Sequence, residues 1–168
     1  MTYLGGKAKG ADHILKVLND PMFDGMHYVE PFIGYAHILR RVENKKSYRA
    51  SDCNSLLITL LKAVQNKRTL PKISENEYHK LKNQNGNTLR RAVAAFCYSY
   101  CGKEFGGYVD KYVRDGSKRS YSEERKRYYK TLQENEQFMS ANIRCIDYCK
   151  LKFKNKLIYC DPPYANTT

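Results

Sequence analysis

The chain of 168 residues predicts an α/β fold built on an open, mostly parallel sheet. Three observations carry that expectation. Short apolar runs alternate with helical periodicity over the first 66 residues. Runs of this kind each arrive at an acidic residue, at Glu30, Asp52, Asp147 and Asp161. A long polar stretch without strand alternation separates the first two runs from the last two.

The elements follow in order. Tyr3-Leu4-Gly5-Gly6-Lys7 is a Gly-rich loop, and Ile14, Leu15, Val17 and Leu18 then give one face of a helix that ends by Pro21. His27-Tyr28-Val29-Glu30-Pro31-Phe32 predicts a short buried strand running into Gly34. A second helix is expected over Ala36 to Val42. Tyr48-Arg49-Ala50-Ser51-Asp52 predicts another strand. After Asn54 comes a strong helix with Leu56, Leu57, Leu60, Leu61 and Val64 on its apolar face.

Pro71 breaks the pattern, and helical segments are expected near 74–82 and 88–98. A polar stretch rich in Gly and Tyr runs from Cys101 to Tyr121, and a charged helix from Ser122 to Phe138. Strands return at Asn142-Ile143-Arg144-Cys145-Ile146, before Asp147, and at Lys156-Leu157-Ile158-Tyr159-Cys160, before Asp161. The expected organisation is one sheet unit made of 1–66 and 141–168, with a mainly helical insertion over 67–140.

Net charge is +13, and it is spread through the chain rather than gathered in a tail. Such a field attracts polyanions, of which phosphate backbones are the commonest large ones. The 15 Tyr offer flat rings for base stacking and hydroxyls for phosphate, as well as ordinary packing. With six Cys, no signal peptide and no long apolar run, the expectation is free thiols in a reducing, intracellular (cytoplasmic) setting, away from membranes. The Cys97/Cys101 and Cys145/Cys149 spacings do not match a zinc knuckle, so no metal is expected.

Open α/β sheets bind ligands at the carboxyl ends of their strands. Four acids gathered there would repel one another unless cationic or donor-rich partners meet them. A ligand with a ribose diol and amino groups supplies such partners, and an acid after the second strand suits ribose hydroxyls. Capping of the following helix is the competing use of Asp52.

Asp161-Pro162-Pro163-Tyr164 is the sharpest motif. Two prolines fix φ and remove two backbone donors, which forces a rigid turn just past an apolar strand. The turn presents a carboxylate, a carbonyl and a ring together. Two acceptors and a ring suit a planar group bearing an amino substituent.

Gly5-Gly6-Lys7, Glu30-Pro31-Phe32-Ile33-Gly34, Asp52-Cys53-Asn54 and Asp161-Pro162-Pro163-Tyr164 stand in one order along the chain. In this order the chain resembles the Dam-like, or D12, class of adenine-N6 DNA methyltransferases. The stretch Gly102-Lys103-Glu104-Phe105-Gly106-Gly107-Tyr108 is similar to the recognition region of phage-type members. The resemblance implies a Rossmann-like sheet that uses S-adenosyl-L-methionine, with a helical target-recognition insertion and double-stranded DNA as partner.

Residue by residue, it implies that Tyr3, Gly5, Gly6 and Lys7 lie against the cofactor. Glu30, Pro31, Phe32 and Gly34 would hold its methionine end. Asp52, with Asn54 beside it, would take the ribose hydroxyls, and Asp147 the cofactor adenine. Asp161 would border both ligands and, with Pro162, Pro163 and Tyr164, form the catalytic turn around a flipped adenine. Lys103, Tyr108, Lys111, Arg114, Lys118 and Arg119 are the candidates for DNA contact, whereas Arg125, Lys126 and Arg127 suit a DNA face or a solvated one equally. The resemblance leaves restriction–modification, replication control and viral use undivided.

Two departures stand out. The turn reads Gly34-Tyr35-Ala36 where the family usually has a second glycine, which puts Tyr35 next to the expected cofactor. The chain stops four residues after Tyr164, where the family continues with further strands and helices. An incomplete catalytic unit is therefore expected, completed by a homodimer or a complementing chain. The rival readings are a non-catalytic fragment that binds cofactor or DNA, and an amino-methyltransferase acting on RNA or protein.

Overall fold

The structure is a computed structural model, and it describes residues 10–114 and 116–162. The strands β1 (His27–Glu30), β2 (Ser47–Asp52), β5 (Asn142–Cys145) and β6 (Lys156–Ile158) form one sheet in the order β5-β2-β1-β6. Every pair in it is parallel, with Glu30 beside Ala50, Asp52 beside Cys145 and Val29 beside Ile158. A second, two-stranded antiparallel sheet pairs β3 (Lys111–Arg114) with β4 (Ser117–Ser120). The helices are α1 (Ala11–Leu18), α2 (Ser55–Gln65), α3 (Glu75–Lys82), α4 (Leu89–Cys97), α5 (Tyr121–Gln133) and α6 (Glu136–Ser140).

Side chains alternate across a strand, so the sheet has two faces. Tyr28, Ala50 and Ile143 face the main core, where they join Leu15, Leu60, Phe96, Tyr129 and Phe138 in one continuous cluster. Val29 and Ser51 lie on the other face and are nearly inaccessible. Helix α2 is the keel of the core. Asn54 caps it by accepting from the Leu56 and Leu57 N–H groups, and Leu56, Leu57, Leu60, Leu61 and Val64 are all buried as the periodicity predicts. Each such side chain contributes about 1.5–3 kcal/mol by leaving water.

Four local expectations are corrected. Val17 is 62 % exposed, because the buried stripe of α1 runs through Ala11, Leu15 and Leu18. Ala36 to Val42 is not an α-helix but a bend followed by a 3-10 turn over Leu39–Arg41. Ala36 sits at φ 58, which breaks helical propagation. Carbonyls there are taken by distant side chains instead: Tyr35 O by the Tyr128 hydroxyl, Arg40 O by Asn135 Nδ2, and Arg41 O by Asn19 Nδ2.

The charged helix expected over Ser122 to Phe138 is two helices, since Asn135 caps α6 by accepting from the Phe138 N–H. The polar stretch from Cys101 to Tyr121 holds the β3–β4 hairpin, with Gly116 between the two strands at φ 72. Its alternation is hidden because most of its side chains are polar and exposed, which leaves no apolar face to read.

Candidate active site

All four sheet strands point the same way, so their carboxyl ends share one edge. In sheet order that edge reads Asp147, Asp52, Glu30, Asp161. The parallel register continues past the strands proper: the Ile146 N–H donates to Asp52 O, and the Tyr159 N–H to Val29 O. Crossover connections place residues 30, 52, 147 and 161 together although up to 131 positions separate them (161 − 30).

The turn after β1 is tightly held. The Ile33 N–H donates to Ser51 O at 2.9 Å, and the Ser51 hydroxyl to Pro31 O at 3.3 Å. Gly34 is at φ 48, a conformation glycine adopts without steric cost. Its N–H donates to Asp52 Oδ2 at 3.3 Å, while Asp52 Oδ1 accepts the Asn54 N–H at 2.9 Å. Asp52 thus braces the turn and the start of α2 together. Asn54 caps α2 through its oxygen and donates Nδ2 to the Glu104 carboxylate at 2.8 Å, so its side chain ties the start of α2 to Glu104.

Glu30 is 2 % exposed. Burial pushes its carboxyl up to about 8, opposed by donors from the Tyr28 hydroxyl and the Leu39 N–H, and raised further by Asp161. Burial also raises Asp52, again opposed by the N–H groups it accepts. These groups sit at an anionic edge whose ionisation is disfavoured in the absence of a cation. Carboxylates of this kind suit a ligand carrying cationic centres and hydroxyl donors, such as a sulfonium, an ammonium and a ribose diol. The residues present therefore fit S-adenosylmethionine.

Asp147 Oδ1 accepts the Cys149 N–H at 2.9 Å and caps the 3-10 turn Tyr148–Lys150. That turn brings Tyr148 against Phe32, with ring centroids 5.1 Å apart. Phe32 belongs to a sequence motif, whereas the only signal for Tyr148 in the sequence is its place next to Asp147. Asp161 is half-buried and Pro162 exposed at the end of the described chain. Tyr3, Gly5, Gly6, Lys7, Pro163 and Tyr164 lie outside the described residues.

Tyr35 is not where it was expected. Only 2 % of it is accessible, and its hydroxyl donates to Gly102 O at 3.0 Å, so its ring is buried in the core rather than open to a ligand. Ala36, with φ 58, holds the left-handed conformation that explains a glycine preference at this turn.

The candidate DNA contacts divide. Lys111, Val113, Lys118 and Ser120 share one face of the hairpin, and Val113 is 68 % exposed. The opposite face is drawn to α5: the Tyr112 hydroxyl donates to Glu124 at 2.7 Å, and Arg119 pairs with Glu124 at 3.8 Å. Arg114 occupies the register position opposite Ser117. Lys103 is exposed, whereas the Tyr108 ring packs half-buried among Tyr78 and Tyr98. Arg125, read as a surface cation, is 1 % exposed.

An open parallel sheet with an acid-lined carboxyl edge and a glycine turn after its first strand defines an α/β protein of the Rossmann-like class. The particular family follows from comparison. Residues 3–92 match the model of the D12 class N6 adenine-specific DNA methyltransferases, and the chain belongs to that family. It is an adenine-specific DNA methyltransferase by descent, and the family implies S-adenosylmethionine as methyl donor and DNA as substrate. No curated protein matches the chain. No helix among the described residues is long and apolar enough to cross a membrane.

Proposed function

We propose that the chain methylates N6 of adenine in double-stranded DNA, with residues 1–66 and 141–168 forming the cofactor and catalytic unit and 67–140 the target-recognition region. The observation that carries this reading is the alignment of Asp147, Asp52, Glu30 and Asp161 on one sheet edge, beside the Glu30–Gly34 turn. S-adenosylmethionine, when bound, supplies a methyl carbon made electrophilic by its sulfonium sulfur.

The protein's part is to bind, orient and position. Glu30, Pro31, Phe32 and Gly34 cradle the methionine end, and the resemblance assigns Tyr3, Gly5, Gly6 and Lys7 to the same ligand. Asp52 receives the ribose hydroxyls, ordered by Asn54. Asp147 receives the adenine amino group, and Tyr148, steadied by its contact with Phe32, walls the same ring.

Asp161 and the Pro162 carbonyl accept the two N6 hydrogens of a target adenine turned out of the duplex, and the resemblance assigns Pro163 and Tyr164 to the same base. Turning out is required because N6 is engaged in pairing inside the helix. The bound cofactor would supply its methyl group to the N6 lone pair, and the proton that N6 gives up would pass to solvent. Hydrogen bonds to Asp161 and Pro162 favour the geometry in which that lone pair faces the methyl group. No metal has a role in this step.

Lys103, Lys111, Arg114, Lys118 and Arg119 supply positive charge for the phosphate backbone, with Tyr108 shaping the base of that surface. A two-stranded ribbon of this size fits the major groove.

The test is methylation of an unmethylated plasmid with labelled S-adenosylmethionine, followed by mapping of N6-methyladenine. Label at adenine N6 that disappears in Asp161→Ala is the expected result. Cofactor binding without label in DNA favours a non-catalytic binder, and label in RNA substituted for DNA favours the RNA reading; either outcome overturns the proposal.

A further inference from the structure

We propose that Tyr35 is a positioning residue of the methyl-donor turn, and that α5 holds it in place so that DNA engagement and cofactor binding are thermodynamically coupled. The inference rests on the reading of the Glu30–Gly34 turn as the seat of the cofactor's methionine end.

Tyr35 immediately follows Gly34, whose N–H meets Asp52 at 3.3 Å. Any displacement of the Tyr35 backbone moves that N–H. What holds Tyr35 comes almost entirely from the proposed recognition region. Its hydroxyl donates to Gly102 O, its ring meets Phe96 edge-on at 6.2 Å, and the Arg125 guanidinium lies 4.9 Å from its centroid. Its own carbonyl accepts the Tyr128 hydroxyl, which also lies 3.2 Å from His37 Nδ1.

Side chains close around Gly102. A methyl group on Gly102 would come within 2.4 Å of Arg125 Nη2 and 2.9 Å of the Tyr35 hydroxyl. Arg125 is also 5.3 Å from the Tyr121 ring, so one guanidinium serves two aromatic faces. Cation–π contacts of this kind gain strength when desolvated.

Tyr121 is the first residue of α5 and directly follows β4 of the basic hairpin. The hairpin is tied down at the same place: Ser120 and Ser122 both donate to Asp110 Oδ1, at 3.0 and 2.7 Å. Tyr121, Arg125, Tyr128 and Leu132 follow a three-to-four-residue spacing and share one side of α5. A force on the hairpin therefore reaches Tyr35 through one helix and one buried stack. Ordering either ligand site fixes the shared anchor, and the second ligand then finds it already ordered.

Dialysis of the full chain with S-adenosylhomocysteine, which carries no transferable methyl group, measures the coupling. The affinity is taken with and without saturating unmethylated plasmid fragments. Two variants are compared with the wild type: Tyr35→Phe, which keeps the ring and removes the bond to Gly102, and Tyr128→Phe, which releases the Tyr35 carbonyl. The wild type is expected to bind at least about fivefold tighter with DNA, within the usual range of allosteric coupling. Both variants are expected to reduce that ratio toward one, and to raise KM for S-adenosylmethionine proportionally more than they change kcat.

A wild-type ratio of one overturns the inference. So does a wild-type ratio retained in both variants while thermal stability falls, because that is the signature of simple packing. Failure of the wild type to bind the ligand at all, with or without DNA, overturns the underlying reading of the turn as well.

Discussion

The Tyr28 hydroxyl donates to Glu30 Oε2 at 2.8 Å, two positions apart on the same face of β1. Both groups are buried, and with the Leu39 N–H this bond opposes the desolvation that pushes Glu30 up to about 8. A carboxyl whose folded pKa is raised stabilises the fold below its unfolded pKa, and that contribution is lost as pH rises through the folded value. Urea unfolding of the ligand-free protein is expected to lose on the order of a few kcal/mol between about pH 4.5 and pH 8 from this group. Glu30→Gln should flatten that part of the profile.

The same carboxyl predicts a proton balance. A cationic ligand at the turn favours ionised Glu30, so S-adenosylmethionine binding near pH 7 should release protons. Calorimetry in buffers of different ionisation enthalpy measures the release. It should shrink markedly in Glu30→Gln, and an unchanged proton count in that variant would assign the effect to another group.

Ala36 stands at φ 58 with no exposed surface. The left-handed region costs an L-residue about 1–2 kcal/mol, partly offset for glycine by its larger unfolded-state entropy. Ala36→Gly is therefore expected to leave stability unchanged or raise it by up to about 1 kcal/mol. Ala36→Val adds β-branching and volume at the same point and should cost about 3 kcal/mol. Denaturant midpoints of the two variants should move in opposite directions, or Gly should stay level while Val falls.

Asn54 caps α2 through two N–H groups and reaches Glu104 with its amide nitrogen. Asn54→Ala should cost about 1 kcal/mol by loss of the cap. Asn54→Asp keeps the capping oxygen but sets a carboxylate against that of Glu104, so it should recover only part of that loss, as read from thermal unfolding.

Lys118 lies on the outward face of the hairpin, while Arg119 is shared with Glu124. Lys118→Ala should weaken DNA binding about equally across sequences and reduce the steepness of the log K against log salt plot by about one. Arg119→Ala should reduce it by less, because Glu124 already offsets part of that charge. A salt titration of binding to two unrelated duplexes distinguishes the pair.

Much of the scaffold was legible because it is written in short-range patterns. The apolar runs ending on Glu30, Asp52, Asp147 and Asp161 declared their strands, and the leucines of α2 declared its buried face. The hairpin was not legible, since its alternation is carried by exposed polar side chains. Neither was the break at Asn135, where a cap interrupts a continuous helical composition.

By itself, then, the amino-acid order determined an α/β sheet, the acids at its strand ends, the turn that the glycine at position 34 permits, and the family motifs. Each depends on residues within a few positions of one another, where periodicity, proline and glycine act directly on the backbone. Tertiary structure alone decided that Tyr35 turns inward, that Arg125 is buried, and that 36–42 is not a helix. Those outcomes depend on partners 67 to 95 positions away, at Gly102, Tyr128 and Asn135, whose hydrogen bonds replace local ones only once the chain has closed around them.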